Sequence, residues 1–182
     1  MYWIALQASP HEDARAWGWR ALRFTPRVAF ADEALLLEVG ASERLFGGRK
    51  RLLRRLLSTP RSGPLARPAP GGGSSCPAKP VQLEKDSGLA TIPWAPGPTS
   101  LVALSLLRLQ CAGQTLPLQV TEQLPLATFT AAQDHLGTLE RVGVTTLGEL
   151  DGLPRSGVAR RFGDGLLDAL DRALERKPEH YE

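Results

Sequence analysis

The sequence predicts an α+β fold: a small mixed or antiparallel sheet with helices over residues 1–113, followed by an all-helical half over residues 114–182. Three observations carry this expectation. Strand-length apolar runs cluster near the N-terminus, and apolar residues at helical spacing dominate the C-terminal third. A Pro/Gly/Ser-rich stretch at 58–80, a linker or loop with nothing to bury, interrupts the first half. With 182 residues, 42% of them hydrophobic, the chain can bury a core, which argues against global disorder.

The elements follow in order. Residues 2–6 are apolar throughout and read as a buried strand. Ser9-Pro10-His11-Glu12 then matches a helix start: Ser9 accepts from the first turn, Pro10 suits the first helical position, and Glu12 reaches back in a capping box. That helix runs to about Leu22 or Phe24 and stops before Pro26, because the residue preceding a proline avoids helical dihedrals. Residues 27–30 and 34–39 read as strands joined by a tight turn at Ala31-Asp32-Glu33. Ala34-Leu35-Leu36-Leu37 lacks alternation, which predicts a strand buried on both faces. Leucines at helical spacing place a helix over 42–57. Order resumes around 81–83 or 89–92, a helix spans 99–110, and 116–124 is extended. The last third predicts helices at 126–142, 146–150, 155–162 and 164–176.

Composition narrows the function. The formal charge of +3 permits an acidic partner without demanding one, so the placement of charge matters more than its total. Cys76 and Cys111 form no ligand pattern with the three histidines, which argues against a structural zinc site. The N-terminus lacks the basic start and apolar core of a signal peptide, and the apolar run near Leu101–Leu107 is too short for a membrane span, so a cytoplasmic location is expected. No P-loop, nucleophile elbow or dinucleotide fingerprint occurs. Asp32-Glu33 is the adjacent carboxylate pair of interest. A two-metal site would need a further carboxylate from the neighbouring first strand, which offers only Trp3, Ile4, Ala5, Leu6 and Gln7.

Three segments invite a binding reading. Between Leu139 and Leu150, a helix ends at Arg141-Val142, Gly143 makes a sharp turn, Val144 follows, and Thr145 or Thr146 caps the next helix. This is a helix-hairpin-helix pattern, in which amide groups at the second helix can hold a phosphate oxygen; an ordinary packing corner reads the same way. Arg141, Arg155, Arg160 and Arg161 would add electrostatic contacts. The basic stripe from Arg49 to Arg55 is a solvated face, a phosphate-tracking surface or an anionic-membrane helix. Gln123-Leu124-Pro125-Leu126-Ala127-Thr128-Phe129 loosely matches the peptide by which bacterial repair proteins hold the sliding clamp, and reads more simply as a helix entry at Pro125.

Taken together, these segments resemble the Y-family (lesion-bypass) DNA polymerases, and most closely their non-catalytic ImuB-type branch. The resemblance rests on Met1-Tyr2-Trp3-Ile4-Ala5-Leu6, on Ala21-Leu22-Arg23-Phe24-Thr25-Pro26-Arg27-Val28, on Leu35-Leu36-Leu37-Glu38-Val39 with Arg44-Leu45-Phe46-Gly47-Gly48, and on Gly143 through Gly163 to Lys177-Pro178-Glu179. It implies a palm-like first domain and a thumb-like helical second one, without fingers or little finger. Active members carry an aspartate where this chain has Ala5, and Asp32-Glu33 matches their second acidic motif only with a one-residue slip. The resemblance therefore implies a non-enzymatic adaptor in translesion synthesis, with no metal and no cofactor. Its implied partners are DNA through the phosphate backbone, an error-prone replicative-type polymerase, a RecA-like accessory protein and the sliding clamp. Other readings stay open: a residual Mg²⁺-dependent nucleotidyltransferase using Asp32 and Glu33, a pure protein-interaction module, or a degenerate remnant.

Overall fold

A run such as Ala34-Leu35-Leu36-Leu37 has no polar side chain to turn outward, and it occupies the place such a run requires. It forms β3 (Ala34–Glu38), an inner strand buried along its whole length. In the computed structural model, which describes residues 2–7, 14–31, 33–58, 92–115 and 121–179, β3 lies between β1 (Trp3–Gln7) and β2 (Val28–Ala31). β4 (Trp94–Gly97) completes a four-stranded sheet of order β2-β3-β1-β4, antiparallel throughout. With α1 (Ala14–Ala21) and α2 (Arg49–Leu57) in the two crossovers, the element order is the split βαββαβ arrangement.

Side chains alternate across a strand, so the register decides which face each residue serves. Ile4, Leu6, Leu35 and Leu37 share a core with Trp17 and Ala21 of α1 and Leu52 and Leu56 of α2. Trp3, Ala5, Ala34, Leu36 and Ala95 belong to the opposite core, covered by α3 (Ser100–Cys111). The α3 sequence is apolar almost all round, as a helix buried on two sides must be. One side packs on β1 and β4. The other meets the C-terminal half: two 3-10 turns (Leu126–Thr128, Thr130–His135), α4 (Leu136–Arg141), α5 (Leu147–Asp151), α6 (Arg155–Phe162) and α7 (Asp164–Ala173). The two sequence halves thus share one core through α3.

Several expectations are corrected. Ile92 is buried and leads into β4, which the sequence reading missed because Pro96 and Gly97 argue against a strand; the runs expected at 81–83 and 89–91 lie outside the described residues. β4 is an edge strand, where proline is tolerated. The helix expected from residue 42 begins only at Arg49, since Gly47 and Gly48 sit at φ 72° and 103°. The single helix expected over 126–142 is broken into two 3-10 turns and α4. The carbonyl of Thr128 accepts from Arg108 Nη1 at 2.7 Å and Ser105 Oγ at 3.2 Å instead of joining a helical ladder. The last helix stops at Ala173 rather than 176, because Glu175 takes φ 58° and the amides of Arg176 and Lys177 turn back to the carbonyl of Asp171. The expected Ser9 capping box, Asp32, the bulk of the 58–80 stretch and residues 116–120 of the extended segment lie outside the described residues.

Candidate carboxylate site and nucleic-acid interface

Ala5, the first-strand position where a two-metal site would need a carboxylate, is fully buried. It sits between Leu36 and Ala95 on the neighbouring strands, in the core that α3 covers. One pleat further, Gln7 Oε1 accepts from Cys111 Sγ at 2.8 Å. Glu33, in the β2–β3 turn, is gripped by Arg108 of α3: Nε donates to Oε1 at 2.6 Å and Nη2 to Oε2 at 3.1 Å. This two-pronged fork matches a carboxylate's two oxygens. The same guanidinium reaches Thr128 O through Nη1 and Thr130 Oγ1 at 2.8 Å, so one side chain ties the sheet turn to the helical half. The guanidinium's hydrogen bonds hold the Glu33 carboxyl below its ordinary range. Among the described residues, no group of three or more His, Cys, Asp or Glu is placed to hold a metal ion. Asp32, the other carboxylate of the pair, lies outside them.

This fork has a measurable weight. Replacing Arg108 by Met leaves the Thr128 carbonyl and the Glu33 carboxylate without their charged donor and lowers stability by about 2 kcal/mol. Glu33→Gln, at a side chain 41% exposed, costs less than about 0.5 kcal/mol because solvent screens the pair. The sign with pH follows from the depressed folded pKa. The Glu33 share is fully present above the ordinary value of 4.5 and is lost as pH falls through the lower folded value. Urea unfolding at neutral pH and well below 4.5 checks this: the gap between wild type and Glu33→Gln should close on acidification.

The turn between α4 and α5 forms where the sequence places it. Gly143 adopts φ 79°, the left-handed turn that a β-carbon disfavours, Val144 is buried, and Thr146 caps α5. The expectation of open amides is not met. The carboxylate of Glu149 accepts from the amides of Thr145 at 2.7 Å and Thr146 at 3.1 Å, while the Thr146 hydroxyl accepts from the Glu149 amide. The amides of Gly143 and Val144 go to the end of α4, and those of Leu147 and Gly148 to the carbonyls of Leu124 and Glu122. Thus every amide from Gly143 to Leu150 has a partner within the chain. An anion occupies the turn, and the amides that surround it hold Glu149 below its ordinary pKa. Thr146-x-x-Glu149 is a capping-box spacing, the signal that reveals this closure in the sequence.

The expected basic contacts divide. Arg155 forks onto the buried Asp171 at 3.0 and 2.7 Å, which commits it to the α6–α7 packing. Arg141, Arg160 and Arg161 are exposed. In the clamp-like segment, Leu124, Leu126 and Phe129 are at most 1% exposed, so their side chains build the core and Pro125 opens a 3-10 turn.

Comparison of the chain with protein-family models, with curated proteins and with solved structures finds no match.

The basic stripe keeps its charge in solvent. α2 buries Leu52 and Leu56 and leaves Lys50, Arg51, Arg54 and Arg55 exposed on the outer side of the sheet's helix layer. Sequence reasoning did not foresee Trp19, which stands 74% exposed on the neighbouring α1 while Trp17 is buried. Among the described residues, no helix is long and apolar enough to cross a membrane.

Proposed function

We propose that this chain is a non-catalytic DNA-repair accessory protein of the ImuB type, a cytoplasmic adaptor in translesion synthesis that holds DNA weakly and without sequence preference. In this reading the sheet is a palm and the helical half a thumb. The observation that carries its non-catalytic character is the Arg108 fork on Glu33, together with a buried Ala5 on the first strand. A guanidinium lies against the carboxylate that a polymerase would spend on Mg²⁺, and α3 fills the sheet face that a polymerase would open to its substrate. The palm then serves as a docking surface for an error-prone replicative-type polymerase and a RecA-like accessory protein. A clamp contact through the segment 123–129 is not part of this reading, since its apolar side chains are buried. The exposed Arg141, Arg160 and Arg161 supply backbone charge contacts, without the amide clasp of an open hairpin.

Two measurements test the proposal. Primer extension with Mg²⁺ should give no product for the wild type. Extension abolished by an Asp32→Ala/Glu33→Ala double variant would instead establish a residual nucleotidyltransferase. Binding to single-stranded and primed duplex DNA should be detectable at low salt and weaken steeply as salt rises. Affinity indifferent to salt, or none at low salt, would refute DNA holding and leave a protein-interaction module.

A further inference from the structure

We propose that the outer face of α1 and α2 is a binding surface for single-stranded nucleic acid, on which cationic side chains track the phosphates and Trp19 stacks on a base. Its choice of polyanion rests on the DNA-holding reading above, but it places the contact on the opposite side of the sheet from the hairpin.

The charge distribution is the first support. Residues 14–30 and 41–58 carry ten Arg and Lys and a single acid, Glu43. These segments hold a formal +9, against −6 for all other residues together, within a total of +3. That one acid is already matched, since Arg49 Nε donates to Glu43 Oε1 at 2.6 Å. Seven of these cations stand on the two helices, Arg15 and Arg20 on α1 and Arg49, Lys50, Arg51, Arg54 and Arg55 on α2. α1 and α2 lie on the same face of the sheet, and Arg20 Nη2 of α1 donates to the carbonyl of Arg55 at the end of α2 at 3.0 Å. A surface of one sign over low-dielectric protein focuses potential toward a polyanion.

Trp19 is the second support. Helical spacing puts Arg15 four residues before it, and Arg23 follows in the turn after α1; both are exposed, so the aromatic ring stands among cations. Base stacking on an exposed aromatic beside a phosphate-tracking groove is how sequence-tolerant single-strand binders work. A membrane surface fits less well. The apolar stripe of α2, Leu52 and Leu56, is spent on the sheet. The exposed Trp19, Leu22, Phe30 and Leu45 are spread over α1 and the turn after it, β2 and the turn before α2, whereas an interfacial helix needs one continuous stripe outward.

The test uses the full chain and a fluorescein-labelled oligothymidylate of about twenty nucleotides, followed by anisotropy over a salt series. An Arg51→Ala/Arg54→Ala/Arg55→Ala variant should lose at least tenfold in affinity at low salt, with a log–log salt slope shallower by about 2. Trp19→Ala should weaken binding several-fold and leave the slope unchanged, the signature of stacking rather than charge. An Arg141→Ala/Arg160→Ala/Arg161→Ala variant, which removes the charge contacts assigned above to the helical half, should lose about threefold at low salt, far less than the α2 variant. Circular dichroism confirms that each variant, all of exposed residues, keeps its fold. If wild type binds but only the hairpin variant loses affinity, this surface assignment is overturned and the DNA-holding reading survives. If wild type does not bind at low salt, both fall. Tighter binding to phosphatidylserine-containing vesicles than to the oligonucleotide, lost in the α2 variant, would also overturn it.

Discussion

Phe129→Ala should destabilise the protein by about 3–5 kcal/mol, the range for removing a buried aromatic ring from a well-packed core. Phe129 is 1% exposed and heads the large side chains that are fully buried. It follows the 3-10 turn at Leu126–Thr128 and shares its core with Leu124, Leu126 and the leucines of α3. Against a typical domain stability of roughly 5–15 kcal/mol, such a loss moves the urea or thermal midpoint far enough to read directly. The same substitution separates two readings of the segment 123–129. A clamp-binding peptide would lose its partner and keep its fold. A core segment loses the fold first. A stability change below about 1 kcal/mol would show that the Phe129 ring is not packed as described and is available to a partner.

Gly97→Ala should cost about 3 kcal/mol, the upper end for overpacking, because the new methyl group meets backbone rather than a side chain that can swing away. A β-carbon at Gly97 would lie 2.5 Å from the Ala103 amide nitrogen, 2.9 Å from its α-carbon and 3.0 Å from the Thr99 carbonyl. Those atoms form the first helical hydrogen bond of α3, Ala103 N–H to Thr99 O. The end of β4, paired through Gly97 to Trp3, therefore seats α3 on the sheet by direct backbone approach. Since α3 is what covers Ala5 and carries Arg108, a shift at Gly97 should disturb the fork as well as the core. Chemical denaturation gives the cost. A wild-type midpoint in Gly97→Ala would mean that α3 does not pack against β4 this closely.

Much of the architecture was legible because the signals are local. The unalternating Ala34-Leu35-Leu36-Leu37 predicts an inner strand, and Gly143 beside Thr146 predicts a turn and a cap; both lie where expected. α5 and α6 likewise fall on their predicted residues to within one position. The misses share a cause. β4 contains Pro96 and Gly97, poor strand formers that an edge position and a close helix approach accommodate. The broken helix after Pro125 depends on Arg108 drawing the Thr128 carbonyl away, and no window of sequence around residue 128 contains Arg108.

The sequence by itself determined the α+β character, the inner strand, the hairpin turn and the lack of a carboxylate on the first strand, because each is a property of residue type or short spacing. The tertiary structure alone decided what those parts can do. It set Arg108 against Glu33, residues 75 apart in the chain, and laid α3 over Ala5. It also gave the hairpin amides to Glu149 and to the carbonyls of Leu124 and Glu122, and drew the cations of two separate helices into one layer. A hydrogen bond or a charge field depends on distance in space. Chain order sets that distance only within a helical turn or a strand pair; beyond it, the packing of the core does.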